Sequence, residues 1–416
     1  MYHFLVVLGA LALVVFLLRR RWKTGVALLI SAVALAAALP ASPSALAGFL
    51  ERDWAGHDLA ATFPVQTADL LLLVVLVNFL GQVLRERGLA ERLTHGLRTL
   101  FRSRRLAVAG VPSVMGLMPT PGGIMLSAPI VREAAEGYGL GGARAALINY
   151  WFRHQWECVF PLFPAVAIVA GFLAVPVATV MKWNLYLSLT GLALGGLVLL
   201  RGFPPADKSG AGRAAGLAQA LGGIAAALWP IALALGLCLG LKVPAGISLA
   251  AAVLLLVLVL RIRPREALAI FRQGAEFDLM LVVVGAMSYR AILDAAGAVG
   301  SISGFISGTG LPAPVLVYAL PFIVGMSTGI TSATMALTFP LLLGIIAPQG
   351  ADGPNMRLAT LAFCGGICGI NLSPVHLCFS LSRDYFKTSF AEMYRHLLPM
   401  ALLLSAAAFA VATIKW

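Results

Sequence analysis

Charge is what this sequence has least of. Asp, Glu, Lys and Arg make up 11% of its 416 residues, where a water-soluble domain carries about 25%. So few charges cannot cover a water-facing surface, which excludes a soluble globular domain. Enzyme signatures are scarce as well. There is no His-Glu-x-x-His pair and no Walker loop, so the chain is expected not to be an enzyme, and ATP-driven transport by this chain alone is not expected. Cysteine is limited to Cys158, Cys238, Cys364, Cys368 and Cys378, all in apolar stretches. Cys364 and Cys368 share a helical face inside a segment rich in small residues, which reads as close helix packing ahead of a metal or disulfide role. No metal ligands and no cofactor are expected beyond a coupling Na+ or H+.

What is present is apolar length. Hydrophobic residues reach 60% and mean hydropathy is +0.93. Uncharged runs such as Thr24–Leu50, Leu106–Val131, Cys158–Met181, Ala214–Leu241 and Leu397–Ile414 approach or exceed the ~20 residues that cross a hydrocarbon core. The longest, Ala295–Ala351, has no ionisable Asp, Glu, Lys, Arg or His. Helices are the expected spanning element, because barrel strands would alternate and be only ~10 residues long. Met1–Leu18 lacks a basic leader and a small-residue cleavage site, so it reads as a retained first span.

The net charge of +13 could point to nucleic acid, but its distribution does not. Basic residues cluster at 19–23, 85–105, 201–213, 261–272 and 383–395, separated by even numbers of expected crossings. All can therefore face one side, which holds 23 of the 30 Lys and Arg. The positive-inside pattern puts that side in the cytoplasm and both termini outside, in a multi-pass protein of the cytoplasmic (inner) membrane. The expected partners are membrane lipids and a small-molecule or ion substrate, not nucleic acid, for which no solvated basic domain exists.

An internal repeat organises the chain. Leu84, Gly88, Pro112 and Gly116 recur at Leu293, Gly297, Pro321 and Gly325, all at an offset of 209. Ser127 and Pro129 match Thr338 and Pro340 at 211, and Arg144 and Pro161 match Arg357 and Pro374 at 213. Each half (1–213 and 214–416) shows a span, then a Pro- and Gly-rich hairpin (106–131 and 312–347), then a long interrupted segment. Five expected crossings separate equivalent points, and five is odd, so the second half is inverted. The fold class expected is an all-α polytopic membrane protein. It has about ten transmembrane helices plus two re-entrant hairpins in two inverted repeats.

Hairpin tips and helix breaks free backbone N–H and C=O groups where water is scarce, and such backbone survives at membrane depth only in protein or beside a cavity. The first tip is Pro119-Thr120-Pro121-Gly122-Gly123, with Ser127 beyond it. The second, Ser327 to Thr334, offers the hydroxyls of Ser327, Thr328, Thr331 and Ser332. Opposed half-helix N-termini suit an anion, whereas hydroxyls bonded back to their own helices would leave a kinked pair without a site. The first interrupted segment holds Asn149, Arg153, His154 and Glu157, and the second holds Asn371, Ser373, Pro374 and His376. Charges inside a membrane default to functional hypotheses. Arg153 is the anion-binding candidate, and Glu157 and His376 are proton-coupling candidates. Arg153 with Glu157, and Arg290 with Asp294, also have the i,i+4 spacing of plain ion pairs.

The stretches Gly116-Leu-Met-Pro-Thr-Pro-Gly-Gly-Ile-Met-Leu-Ser-Ala-Pro129, Asn149-Tyr-Trp-Phe-Arg-His154, Gly325-Met-Ser-Thr-Gly-Ile-Thr331 and Leu372-Ser-Pro-Val-His-Leu-Cys378 resemble signatures of the domain of unknown function 401 family of prokaryotic membrane proteins. That family in turn resembles the ion-transporter superfamily of citrate, divalent-anion and arsenite permeases. The resemblance implies inverted repeats with one re-entrant hairpin each, frequent homodimers, and sodium- or proton-coupled anion transport. Sodium–dicarboxylate members carry Ser-Asn-Thr at their tips, where this chain has Pro-Thr-Pro-Gly-Gly and Ser327-Thr328, so the substrate stays open. The expected function is secondary active transport of a small anionic solute, with the site at the two tips. A lipid-phosphate translocase would use the same hairpins but open laterally. A non-transporting membrane scaffold would tolerate proline and glycine replacement at both tips, and a passive channel would conduct without coupling.

Overall fold

The computed structural model of the chain describes residues 2–39, 42–56, 62–101, 103–118, 123–136, 139–202, 214–298, 310–348 and 351–414. Among them all regular structure is helical. The helices of the N-terminal half are α1 (Tyr2–Arg19), α2 (Thr24–Ala38), α3 (Pro43–Gly56), α4 (Phe63–Glu86), α5 (Leu89–Leu100), α6 (Arg104–Met115), α7 (Ile124–Glu136), α8 (Gly142–His154), α9 (Pro164–Leu173) and α10 (Val177–Leu199). Those of the C-terminal half are α11 (Ala214–Leu235), α12 (Ala245–Val259), α13 (Pro264–Gly274), α14 (Phe277–Ala295), α15 (Ala313–Thr328), α16 (Thr331–Ile346), α17 (Met356–Leu372), α18 (Leu377–Tyr385) and α19 (Phe390–Thr413).

Local sequence explains many of the ends. Proline opens α4, α9 and α13 at the first turn, where its missing N–H is not needed. Asn355 accepts from the N–H groups of Arg357 and Leu358 to start α17, and Ser389 with Glu392 forms a capping box on α19. Among the described residues, four stretches are long and apolar enough to cross a membrane alone: Phe63–Glu86, Gly216–Gly240, Met356–Tyr385 and Phe390–Thr413. The pair α9 and α10, bent by 120°, makes a fifth if taken as one span. The chain is a multi-pass helical membrane protein. Fewer helices than the expected ten reach spanning length, because breaks divide the apolar runs. A helix rises only about 1.5 Å per residue. An apolar helix of 15 residues, such as α2 or α12, is therefore too short for a straight crossing.

Helix boundaries follow the sequence offsets. Arg104 and Ala313 open helices at the offset that relates Gly116 to Gly325, and Glu86 and Ala295 end α4 and α14 at the same offset. Pro164 and Leu377, then Val177 and Phe390, open helices at the larger offset that relates Arg144 to Arg357.

Contacts recur with them. Asp278 on α14 accepts from the N–H groups of Thr24 (3.1 Å) and Gly25 (2.8 Å) at the start of α2. Asp69 on α4 stands from Asp278 at the first of those offsets. It accepts from the N–H groups of Gly246 and of Ile247 (3.2 Å) at the start of α12. A carboxylate at a helix N-terminus satisfies orphan donors and meets the positive end of the macrodipole. In both cases the acid and the capped helix lie in opposite halves. Gly25 and Gly246 make room for it, since a Cβ at either would overlap the backbone of the capping aspartate.

A second recurrence links each hairpin to the interrupted segment behind it. A Cβ at Gly116 would overlap the carbonyl of Arg153, and one at Gly325 would overlap the carbonyl of Gly366. Gly366 stands to Arg153 as Arg357 stands to Arg144, so the two contacts are related by the sequence offsets. Around Gly325, α15 lies backbone to backbone on α17, with Gly365 against Tyr318 and Gly369 against Phe322. Cys364 and Cys368, free thiols with sulfurs 3.9 Å apart, turn instead to the carbonyls of Leu404 and Ala401 on α19. The halves also pack across one another: α16 lies on α9, and α18 lies on α7 and α8.

Candidate functional site

The interruptions expected after residue 149 and around Pro374 are both present. Helix α8 stops at His154, residues 155–163 form turns, and α9 begins at Pro164; α17 stops at Leu372, and α18 begins at Leu377. Because α18 packs on α8, the two breaks face each other inside the protein. Tyr150 on α8, wholly buried, ties them by donating to the backbone oxygen of Asn371 (3.1 Å), with Asn371 Oδ1 at 3.3 Å.

Arg153 and His154 close the last turn of α8 and are 7% and 3% exposed. Arg153 donates to the carbonyls of Met115 (2.7 Å) and Met118 (3.4 Å) and to the sulfur of Cys378. Met115 ends α6, and its carbonyl, which also accepts from the N–H of Met118 (3.1 Å), gains a charged donor in the guanidinium. His154 Nδ1 faces the carbonyl of Tyr150 at 2.6 Å. Its Nε2 lies 3.1 Å from Nε2 of His376 and 3.6 Å from Glu157 Oε1. The other Glu157 oxygen accepts from Thr331 Oγ1 at 2.7 Å, in the first turn of α16. His376 Nδ1 faces the carbonyl of Gly329 at 2.7 Å. Gly329 closes α15 with a left-handed φ of +65°, and a Cβ there would press on the backbone of His376. Ser373 donates to the carbonyl of Met326 at 2.7 Å, so the second tip and the second break are held together twice.

The structure therefore brings Arg153, His154, Glu157, Thr331 and His376 into one cluster, the first two and His376 buried and Glu157 and Thr331 partly so, with Asn371 and Ser373 at its edge. Ser127 and Asn149 form a pair of their own further along α8: Ser127 Oγ donates to Asn149 Oδ1 (2.6 Å), and Asn149 Nδ2 donates to the carbonyl of Ile124 (3.0 Å). Thr328 pairs with Thr334 (3.0 Å) within the second tip, and Ser332 is buried in the first turn of α16. Ser327 points away, exposed and bonded to the carbonyl of Ile323 (2.9 Å) on its own helix. Its string Gly325-Met-Ser-Thr-Gly329 has the spacing of a nucleophile elbow, but it ends a helix instead of joining a strand to one. Gly123 is buried at the start of α7, while Thr120 and Gly122 lie outside the described residues.

Two expected ion pairs fare differently. Arg290 Nε lies 3.7 Å from Asp294 Oδ2. Arg153 and Glu157 are not an i,i+4 helical pair, because α8 ends at His154 and Glu157 turns to Thr331. Tyr150 and Cys378 were not anticipated. The only hint of Cys378 was its place two residues after His376. Among the described residues one group of three metal-capable side chains occurs, His154, His376 and Cys378, with ligand atoms all within 4.8 Å of one another.

Comparison with known proteins agrees with this architecture. The family described as "Protein of unknown function (DUF401)" matches residues 4–414. No curated protein matches. Among solved structures, the YdaH transporter of Alcanivorax borkumensis, reported to have an unusual topology, superposes with a TM-score of 0.53. Its sequence identity is 16%, over 82% of this chain and 84% of that one. At that identity the likeness establishes a shared fold.

Proposed function

The chain belongs to the DUF401 family, and from that premise we propose that it is a secondary active transporter of a small anionic solute. It is driven by a sodium or proton gradient and placed in the ion-transporter superfamily. The observation that carries this reading is the meeting of two helix breaks and a hairpin tip around buried ionisable groups, with ligands from both halves. Ionisable side chains inside a membrane are costly to keep and mark solute or ion pathways. Discontinuous helices at the interface of repeats are where such transporters bind their cargo. The recurring aspartate caps and the Gly116 and Gly325 contacts support a two-repeat, inverted organisation with the two hairpins as re-entrant elements. A fold shared with a transporter fits the same reading.

The anion preference rests on Arg153 and on the first turn of α16. The Glu157 carboxylate reaches Thr331 there, at the end of a helix that favours negative charge. An anionic solute would compete with Glu157 for that place, and its arrival would part α8 from α16. Uptake into proteoliposomes under imposed sodium and proton gradients, screened over a panel of small anions, tests the function. Glu157→Gln and Thr331→Val are expected to abolish gradient-driven uptake. Wild-type rates in both variants would remove the site from this cluster, and no gradient-driven uptake of any anion by the wild type would sink the reading.

A further inference from the structure

We propose that His154, His376 and Cys378 form a binding site for a transition-metal ion of the zinc class. The argument starts with hydrogen-bond bookkeeping. Each Nδ1 faces a backbone carbonyl, that of Tyr150 at 2.6 Å and that of Gly329 at 2.7 Å. A carbonyl only accepts, so each Nδ1 must carry the ring proton. In the neutral rings both Nε2 atoms then present lone pairs, and these lie 3.1 Å apart. Two lone pairs at that distance repel, whereas one cation bound to both turns the contact into coordination.

The spacing suits an ion. With metal–nitrogen bonds of about 2.05 Å, nitrogens 3.1 Å apart subtend an angle of about 100° at the metal, close to tetrahedral. One ring nitrogen from each histidine and Cys378 Sγ lie within 4.8 Å of one another, so the sulfur supplies a third ligand. Two imidazoles and a thiolate select zinc or a similar borderline-soft ion over magnesium or calcium. The Nδ1 contacts to carbonyls are the outer-shell hydrogen bonds that fix the ring orientation of metal-ligating histidines. Glu157 Oε1, 3.6 Å from His154 Nε2, places negative charge beside the ion. Arg153, bonded to Cys378, positions the sulfur. Cys378 is only partly buried, which gives an ion its way in. The ligands come from both halves, so a bound ion would clip one helix break to the other. The site goes beyond the transport reading: metal binding without transport, or transport without metal, separates the two.

The test uses the full-length protein purified in detergent and stripped with a chelator. Zinc uptake is measured by equilibrium dialysis, and cobalt is titrated as a spectroscopic probe. The expected result is one zinc per chain and a thiolate-to-cobalt charge-transfer band. Direct ligands should cost at least the ~100-fold upper limit seen for outer-shell partners. His154→Ala, His376→Ala and Cys378→Ser should therefore each weaken binding by about 100-fold or more, while Cys364→Ser keeps it. Zinc should also slow alkylation of Cys378, read by mass spectrometry on the wild type, and leave Cys238 unaffected. That measurement decides the matter even if the histidine variants fail to fold. Wild-type protein that takes up no zinc, gives no band and shows no protection of Cys378 overturns the proposal and leaves one shared proton to close the histidine contact. Undiminished binding by Cys378→Ser overturns it too.

Discussion

The first helix break runs from Gln155 to Phe163 and the second only from Ser373 to His376, yet the helices that follow them, α9 and α18, start at the same sequence offset that relates Arg144 to Arg357. Behind each break a hairpin glycine lies on the same point of the broken helix, Gly116 on Arg153 and Gly325 on Gly366. The backbone plan is common and the chemistry is not. Where the first half has a buried guanidinium, the second has a bare glycine. The first break adds His154 and Glu157, and the second answers with Asn371, Ser373, His376 and the carbonyl of Gly329. The two halves thus do not carry two copies of one site. They meet in a single cluster in which one half supplies most of the ionisable groups and the other supplies hydroxyls, carbonyls and one imidazole.

Breaking the shared backbone plan should have the largest effect. Gly116→Ala and Gly325→Ala each drive a methyl into a backbone carbonyl that cannot swing aside. Overpacking costs about 1–3 kcal/mol where side chains can give way. Here, with backbone on both sides of the contact, the loss is expected to reach or exceed the ~5 kcal/mol upper end for a broken buried charge network. Both variants are expected to lose most folded protein, measured as monodisperse yield and thermal midpoint in detergent. If only one does, the two hairpins are not mechanically equivalent.

Arg153→Met comes next, and it tests the half that departs from its counterpart. It takes the charged donor away from the carbonyls of Met115 and Met118 and leaves Glu157 with less compensating charge. Removing one partner of a buried charged network costs roughly 3–5 kcal/mol, so a fall in thermal stability is expected together with loss of uptake. Gly366, the equivalent position, offers no such handle.

The aspartate caps give a smaller and more discriminating comparison. Asp69→Asn and Asp278→Asn keep the shape and remove the charge at the starts of α12 and α2. A charge at a partly buried helix terminus contributes up to about 2 kcal/mol. The two variants are expected to lose similar stability, about 1–2 kcal/mol each, by denaturant or thermal unfolding. A difference well beyond that range would mean that the recurrence is one of geometry without shared energetics.

How much of this was legible beforehand follows from what each feature depends on. Membrane residence, the hairpins and the breaks are local: charge-free length, and prolines and glycines in places a helix resists. Arg153, His154, Glu157 and His376 stood out because ionisable groups are rare in apolar stretches. Their partners did not, because His154 meets His376 and Glu157 meets Thr331 only when the halves interlock. Asp69 and Asp278 give no signal in the sequence for the same reason. Their partners are backbone N–H groups of a distant helix, which carry no side-chain signature. Thr331 and Ser327 looked alike in sequence, and only the helix phase after Gly329 separates them.

That last pair gives the smallest expected effect and a sharp control. Ser327 and Thr331 flank the same left-handed glycine, but Ser327 returns its hydroxyl to the carbonyl of Ile323 on an exposed face, and Thr331 gives its own to Glu157 across the halves. Ser327→Ala removes a bond that water replaces, so stability should change by less than about 0.5 kcal/mol and uptake should stay at the wild-type rate. Thr331→Val, equally conservative in volume, breaks the link between α16 and the first break and should stop uptake with little loss of folded protein. Equal effects of the two substitutions on transport would mean that the tip acts through its backbone alone. The comparison between the breaks would then reduce to their carbonyls and N–H groups, with the inter-half hydroxyl contact as mere packing.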